Sequence, residues 1–549
     1  MHRNQPVIAL ILIIVVCFTS SCSAVEPDYQ NDTSEVSEAV IEKQSIKEIW
    51  ETWDAVLQES YDNVQLDTQI QLEMPEVVGA MTFVQRELTD IEQNRVFAEF
   101  VPDMKGKYYT YSEKVSPPGP EYDNPGTGEH LGVGTNGFVY YVKNDKDFFD
   151  KPRNYVTRNK TEKCAKAMMK VLLANRYYGE RVCGIDACSV EIGCRPETFA
   201  TEFRFLREIK VERNRIGIFW EQRVQDRRLW ITYHVGEDFL DIADGLRAID
   251  EAVMFLELER GDRLGHAIAL GVEPEVHYSL KNKLIAMPKQ DLLDNYVWLL
   301  FRSLELGVTI ADNLRSRMQY EAQKLLYEIY LDDGKETYTY TLREYYESWK
   351  LRGDYPGLYQ NGEFRDSNDV WKSRYESKKK ESLDEADMLR QQKKISHLYY
   401  RYHFGRDEKM RGQEIKIVEA TREYIDLMVD MQRSMRKRIN EKGIAIECNP
   451  TSNVLIGTFK RYDLHPMFHF NNYALKNENN VKLSEQMNIS INTDDLGVFD
   501  TSLENEFALI ACALSKKVDE NGNKIYSQDA IYDYLEHIRQ MGLDQVFRT

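Results

Sequence analysis

The chain is poor in cysteine and contains no Cys-x-x-Cys pair. It has eight cysteines in 549 residues, and without that spacing we do not expect a thiolate zinc knuckle. Three of them, Cys183, Cys188 and Cys448, lie on or beside predicted strands. We interpret these three as small core residues rather than as parts of a disulfide framework.

The chain also lacks an excess of positive charge. Its 71 lysines and arginines are outnumbered by 90 aspartates and glutamates, which gives a formal net charge of −19. Such a surface repels phosphate backbones. A tight basic run at 378–380 lies in a mixture of acidic and basic residues, and we interpret it as a solvated helix face. We therefore expect no nucleic-acid polymer as a partner.

The apolar run Val7–Phe18 is too short for a comfortable transmembrane helix. Basic residues precede it and small residues follow it, which predicts a signal peptide over 1–24. Cys22 resembles the acylation site of bacterial lipoproteins and would then provide a membrane tether; cleavage after Ala24 is the alternative. We expect an acidic, flexible tether over 25–44. The protein is then exported and periplasmic or membrane-anchored, or cytoplasmic if this segment is not a functional signal.

Four short apolar segments end in polar or ionisable residues. They lie at 230–237, 263–267, 444–453 and 487–495. Short strands with functional groups at their carboxyl ends are typical of a parallel α/β barrel, whose active site lies on that face. The last segment ends in two adjacent aspartates, which repel each other and so favour a bound metal ion.

These segments resemble, in order, the motifs of the adenosine deaminase family of metal-dependent aminohydrolases. The resemblance covers roughly residues 90–549 and implies a (β/α)8 barrel of the TIM type whose first strand is missing or atypical. It also implies zinc-dependent hydrolysis of adenosine, or a related purine nucleoside, to inosine and ammonia. The matching pieces are His-Val-Gly-Glu at 234–237, Arg-Leu-Gly-His at 263–266, Glu-Cys-Asn-Pro-Thr-Ser-Asn at 447–453, Asn-Thr-Asp-Asp at 492–495, Val-Cys-Gly-Ile-Asp at 182–186 and, more faintly, 95–100.

The resemblance assigns the metal and the acid of the reaction. His234 and Asp494 correspond to ligands of Zn²⁺, which takes imidazole nitrogens and carboxylate oxygens. Glu237 corresponds to the acid that protonates the purine nitrogen beside the attacked carbon. That role needs a carboxyl group with a raised pKa in a closed pocket. The same glutamate also suits the start of a helix, where it would stabilise the dipole.

The resemblance also assigns contacts to the reacting groups. His266 corresponds to the histidine that orients the attacking hydroxide, and Asp495 to the residue that contacts both this hydroxide and the imidazole side of the purine. The backbone of Gly184 corresponds to a contact with the purine's other ring nitrogen, and glycine permits that close approach. The polar residues of 447–453 are expected to organise a strand end rather than to react.

The barrel is expected in two parts, over 45–274 and 421–549. Between them, residues 275–420 exceed what one connecting helix needs, and they contain helical runs such as 292–306 and 314–331. We interpret this segment as a helical insertion that serves as a lid or as a surface for homo-oligomerisation. Long insertions of this kind also resemble, more weakly, the deaminase component of the bacterial RADAR defence system.

One element of the family pattern is missing, because the chain has no His-x-His among its ten histidines. In the family this motif on the first strand supplies two zinc ligands, and two remaining protein ligands would hold zinc poorly. An irregular segment such as that of His130 supplies the others, or the first strand comes from elsewhere, or the chain is a metal-poor relative. The second hypothesis is therefore a catalytically inactive barrel that acts as a nucleoside-binding or assembly module.

Overall fold

The computed structural model describes residues 151–174, 182–188, 191–209, 227–330, 339–366, 385–457, 459–475, 486–495 and 499–547, and the backbone of five short strands before residue 144. The expected signal peptide with Cys22, the tether over 25–44 and the faint strand at 95–100 lie outside these residues. Within the described part of the chain, no helix is both long and apolar enough to span a bilayer.

Short strands recur along the described chain. They are β1 (Met81–Phe83), β2 (Gln85–Arg86), β3 (Tyr109–Thr110), β4 (Glu129–Val133), β5 (Val139–Lys143), β6 (Gly184–Ile185), β7 (Glu208–Ile209), β8 (Arg227–Arg228), β9 (Trp230–Val235), β10 (Arg263–His266), β11 (Leu284–Pro288), β12 (Tyr359–Gln360), β13 (Glu363–Phe364), β14 (Ile415–Glu419), β15 (Ala445–Cys448) and β16 (Ile489–Ile491).

Helices surround and connect these strands. They are α1 (Tyr155–Ala174), α2 (Ala200–Arg207), α3 (Ile242–Phe255), α4 (Pro274–Leu280), α5 (Lys289–Glu305), α6 (Asp312–Tyr330), α7 (Leu342–Lys350), α8 (Glu385–Arg390), α9 (Lys393–Phe404), α10 (Arg406–Gly412), α11 (Arg422–Lys442), α12 (Pro450–Ile456), α13 (Met467–Phe470), α14 (Leu503–Lys516) and α15 (Gln528–Asp544).

A parallel five-stranded sheet organises the fold. Its strands lie in the order β6, β9, β10, β15 and β16, and every neighbouring pair is parallel. All residues of β10 and β16 are buried, as expected for a parallel sheet covered by helices. The predicted α/β class with a parallel sheet is therefore confirmed. Since parallel strands share one carboxyl edge, the polar residues that follow them are brought together.

The helix between β9 and β10 follows from local signals. Asp241 caps α3 by accepting a hydrogen bond from the backbone N–H of Ala243, which satisfies one of the unpaired donors at the helix start. The apolar stripe that predicts this helix is buried in the core. The chain then turns at Gly261, which has a φ of 95°, a conformation that glycine adopts readily. The predicted strand–helix–strand unit is confirmed.

The helix before β15 is also as predicted, with a defined start and stop. Thr421 caps α11 by accepting a hydrogen bond from the backbone N–H of Tyr424. Gly443 ends the helix in the left-handed conformation, with a φ of 71°, as is common at helix C-termini. The chain continues directly into β15, which pairs with β10 on one side and β16 on the other.

The inserted segment at 275–420 is not purely helical. Its expected helices are present as α5 and α6, but β11 and β14 pair antiparallel near its two ends, with Leu284 opposite Glu419. This ribbon brings the start and the end of the insertion together. Pattern reasoning missed the pairing because its partners lie far apart in the sequence.

The segment 275–420 packs against α3 through buried polar contacts. The guanidinium of Arg247 donates to Glu251 on its own helix at 2.8 Å and lies 3.6 Å from Asp294 of α5. Trp298 of α5 donates to Asp250 at 2.9 Å. A buried charge without a partner is costly, so these pairs tie the insertion to α3. Insertion and sheet also share one continuous hydrophobic core.

Candidate metal and catalytic site

The carboxyl edge of the sheet gathers three of the predicted site residues. His234 lies near the end of β9, His266 ends β10, and Asp494 follows β16. One ligand atom from each of them can be chosen so that all three lie within 4.8 Å of one another. The two imidazole rings have their centroids 5.0 Å apart. The convergence predicted from separate segments is thus present in the tertiary structure.

The backbone at this edge adopts uncommon conformations. His266, Ala267 and Asp494 have φ values of 62°, 47° and 56°, in the left-handed region. Each such non-glycine residue costs on the order of 1–3 kcal/mol. Gly236, two residues after His234, has a φ of 76° without that cost. Strain of this kind is common at functional sites, and three of the nine non-glycine residues with positive φ in the described part of the chain lie at this edge.

Asp186 holds the ring of His234. Its Oδ2 lies 2.9 Å from Nδ1 of His234, and its side chain is almost completely buried. Burial would lower the pKa of His234, but the negative charge and hydrogen bond of Asp186 raise it to about 10. With Nδ1 donating to the carboxylate, Nε2 is the nitrogen that remains for a metal ion. Sequence reasoning gave Asp186 no role, although it follows directly after β6.

His266 is enclosed by polar side chains from three segments. Its Nδ1 lies 3.1 Å from Oε1 of Glu237 and 2.6 Å from Nδ2 of Asn453. Its Nε2 lies 3.6 Å from Oδ2 of Asp494 and 3.2 Å from Nδ2 of Asn449. Only 1% of the imidazole is exposed. The two asparagines therefore organise the site around His266, in line with the expectation for 447–453.

The pKa of Glu237 differs from the expectation. Burial of its carboxyl group raises the pKa, but the charge and hydrogen bond of His266, the charge of His234 and the amide of Asn453 together lower it below its ordinary value. The raised pKa expected for a proton donor is thus not present in this state of the molecule. The physical reason is that two histidines stabilise the ionised form.

Glu191 is a site residue that sequence reasoning missed. Its carboxyl oxygens accept hydrogen bonds from the backbone N–H groups of Gly236 at 2.6 Å and Glu237 at 3.1 Å. Burial, together with the charges of Glu237 and Asp238, raises the pKa of Glu191 to about 8. The carboxyl group fixes the turn that carries Glu237. No local pattern indicates this contact, because the partners are 45 residues apart.

Of the two predicted substrate contacts, Asp495 directly follows Asp494 of the cluster and Gly184 lies on β6. Asp495 is exposed, and its backbone N–H donates to Oδ1 of Asp494. Gly184 pairs with Trp230 of β9, which precedes His234 by four residues on that strand. A Cβ atom at Gly184 would lie 2.5 Å from the ring of Phe547. The structure therefore does not bring Gly184 to the cluster, because the register of β6 places it toward the amino end of the sheet.

The donors at the cluster suit a divalent cation. Imidazole nitrogen and carboxylate oxygen are ligands that zinc accepts, as do several other transition metals, so the donor set alone does not select zinc. The Asp186–His234 pair at this cluster has the arrangement in which a carboxylate orients a metal-binding histidine. The described residues bring three such donors together, and water or a further side chain would complete a four-coordinate zinc site. His130 lies on β4, opposite Val142, and its side chain is outside the described part.

Comparison with known proteins adds no family assignment. A scan against protein-family models finds no match to this chain, and a search of curated proteins finds none either.

Proposed function

We propose that the chain is a metal-dependent aminohydrolase that converts adenosine, or a related purine nucleoside, to inosine and ammonia. The observation that carries the proposal is the convergence of His234, His266 and Asp494 within 4.8 Å at one edge of a parallel sheet. In the proposed fold, the five strands form part of a (β/α)8 barrel of the adenosine deaminase type. Such barrels place their active sites at this edge.

In the proposed site, Nε2 of His234 and the carboxylate of Asp494 would hold a zinc ion, and other donors would fill its remaining coordination positions. Zinc, when bound, lowers the pKa of water toward ~7 and so makes hydroxide available at neutral pH. Asp186 orients His234 and makes its imidazole a better donor. The ordering of these side chains before substrate arrives lowers the entropic cost of reaching the transition state.

The other residues would act on the attacking oxygen and on the purine. His266 lies between Glu237 and Asp494. In the proposed reaction it orients the attacking oxygen toward the ring carbon of the purine. Glu237 gives its proton to the neighbouring ring nitrogen. The pKa of Glu237, which is lowered in the structure, must rise for this step. An uncharged purine base packed against the carboxyl group would exclude water and so raise this pKa. The excess of negative charge in the chain favours an uncharged nucleoside over a nucleotide.

Turnover of adenosine tests the proposal. Purified protein is incubated with adenosine and Zn²⁺, and inosine is measured by chromatography. Asp494→Ala removes a proposed ligand and is expected to reduce the rate at least ~100-fold, because the activated water is lost. The matched control is Asp430→Ala, at a surface aspartate on α11 whose carboxylate is 53% exposed; it should retain the wild-type rate. Equal rates in both variants would contradict the assignment of Asp494.

The alternative function is an inactive nucleoside-binding or assembly module. The feature that favours it is the lack of His-x-His among the ten histidines of the chain. Metal analysis and calorimetry distinguish the two functions. A folded protein that binds adenosine without zinc and produces no inosine would be such a module, whereas stoichiometric zinc with turnover identifies the enzyme.

A further inference from the structure

The segment at the end of α15 links the two edges of the parallel sheet. At Gly542, within α15, a Cβ atom would lie 3.5 Å from the side chain of Ser490 on β16. Shortly after the helix, the ring of Phe547 lies against Gly184 of β6. Since β16 and β6 are the edge strands of the five-stranded sheet, this short stretch of chain contacts both edges.

Phe547 is also held by the first residues of two inner strands. It is 7% exposed, and its ring stacks on that of Trp230, with centroids 6.1 Å apart and planes 16° from parallel. The guanidinium carbon of Arg263 lies 3.7 Å from the centroid of the Phe547 ring, which is a cation–π contact. Nη1 of Arg263 also donates to the backbone oxygen of Gln545 at 2.5 Å. Strands β9 and β10 thus bind the same segment.

Gly184 provides the space for the ring of Phe547. An added Cβ atom would lie 2.5 Å and 2.6 Å from two carbons of that ring, well inside the ~3.5–4.0 Å at which carbon atoms pack. Its next neighbour, the backbone oxygen of Trp230, would be 3.2 Å away. Gly184 is not among the glycines with positive φ, so its backbone does not itself require glycine. The Phe547 ring is therefore the main reason for a glycine here.

The same contacts lead toward the catalytic cluster. Nε of Arg263 lies 2.5 Å from Oε1 of Glu447. Glu447 and His234 both pair with Gly265 of β10, so their side chains lie on one face of the sheet. A Cβ atom at Gly265 would lie 3.0 Å from Cγ of His234. Arg263 therefore connects Phe547 to a carboxylate on the face that carries His234.

We propose that residues 545–547 form a strap that ties the two edges of the sheet together on the face of the catalytic cluster, with Gly184 as the seat of Phe547. The resemblance to deaminases implies that Gly184 contacts the purine. In the structure, the ring of Phe547 occupies this position, toward the amino end of the sheet. The strap goes beyond the proposed function, because it concerns how the sheet is held rather than the reaction.

A double-mutant cycle tests the seat. Gly184→Ala should lower the urea concentration at half-unfolding by on the order of 0.5 M, because its methyl group overlaps the Phe547 ring. Phe547→Ala should lower it as well, because a buried ring is lost. In the double variant the overlap is absent, so Gly184→Ala should cause most of its shift only when Phe547 is present. An equal shift in both backgrounds would overturn the proposal.

The matched control is Gly542→Ala, whose Cβ atom would make an ordinary contact at 3.5 Å. Alanine favours the helix in which this residue lies, so the urea midpoint should not fall. If Gly184→Ala does not fold by itself, as judged by circular dichroism, recovery of folding in the double variant supports the seat. Failure of the double variant to fold while Phe547→Ala folds would refute it.

Hydrogen exchange measured by mass spectrometry tests the tie between the edges. Phe547→Ala should accelerate exchange in the peptide 182–188, which contains β6, by at least ~10-fold, because local opening depends on local contacts. Peptides of α6 should keep their wild-type rates. Leu543→Ala, at a side chain 48% exposed on α15, should change neither region. Unchanged exchange at 182–188 in Phe547→Ala, or equal acceleration in α6, would overturn the strap. Neither measurement needs turnover, so a failure of the deaminase proposal is distinguished from a failure of the strap.

Discussion

A single buried carboxylate determines the chemistry of His234. The side chain of Asp186 is 2% exposed and lies 2.9 Å from Nδ1, so the ring cannot rotate without losing a charge-assisted hydrogen bond. This leaves Nε2 as the nitrogen of His234 that is available to the cluster with His266 and Asp494. The proposed metal site therefore depends on a residue that is not itself a ligand.

Replacing Asp186 by asparagine tests that dependence. The amide oxygen of Asp186→Asn still accepts from Nδ1 of His234, but it carries no negative charge, so the imidazole becomes a weaker donor. We expect metal affinity to fall about 10- to 100-fold, the usual effect of losing such an outer partner. Titration of zinc against a competing chelator measures this change, with Asp430→Asn as the surface control. Unchanged affinity would show that Asp186 does not support a metal site.

At the scale of elements, α3 connects the site to the insertion. The helix begins just after the turn that carries Glu237, and Asp241 at its start accepts hydrogen bonds from the hydroxyls of Tyr278 at 2.5 Å and Tyr424 at 2.6 Å. Asp241 thus joins α3, α4 and α11 in addition to capping the helix. One residue therefore links the beginnings of α3 and α11 to the C-terminal half of α4.

Asp241→Ala should destabilise the protein more than the loss of an ordinary cap. The substitution removes the cap and leaves two buried hydroxyl groups without their acceptor, so we expect the free energy of unfolding to fall by about 3 kcal/mol. Urea denaturation followed by circular dichroism measures the loss. The matched control is Ser527→Ala at the exposed start of α15, which should cost about 1 kcal/mol. Equal losses would rule out the joining role of Asp241.

At the scale of the whole molecule, buried neutral histidines make stability depend on pH. His403 of α9 is completely buried, and neither of its ring nitrogens has a hydrogen-bond partner among the described residues. Burial, and the nearby positive charges of Arg158, Arg153, Arg352 and Lys409, lower its pKa well below the ordinary value. His277 of α4 is also completely buried, and burial lowers its pKa in the same direction.

These histidines predict a loss of stability in acid. In the unfolded chain each takes up a proton as pH falls through ~6.5, and in the folded state it does not, so stability is lost below that pH. Each histidine contributes up to about 1.4 kcal/mol of loss per pH unit. His403→Phe keeps a ring beside Tyr399 and cannot titrate. Denaturation at pH 7.5 and 5.5 should therefore show a smaller pH effect in this variant, and an equal effect would contradict the account.

The sequence by itself determined the local elements and the candidate ligands. The apolar stripe before Gly261 predicts α3, and the pair of Thr421 and Gly443 predicts both ends of α11, because helix caps act on backbone groups within a few residues. The resemblance of motifs singled out His234 and Asp494 as predicted ligands and His266 as a predicted contact to the hydroxide. Their positions at strand ends predicted that they meet, because parallel strands share one carboxyl edge. These features need no knowledge of distant contacts.

Only the tertiary structure decided how those residues are held. Asp186 meets His234 across 48 residues of sequence, Asn453 meets His266 across 187, and β11 meets β14 across the whole insertion. No periodicity encodes such pairs, since their partners are set by strand register and core packing. The same register placed Gly184 away from the cluster. Local patterns therefore named the groups that could react, and long-range packing determined their neighbours, protonation and orientation.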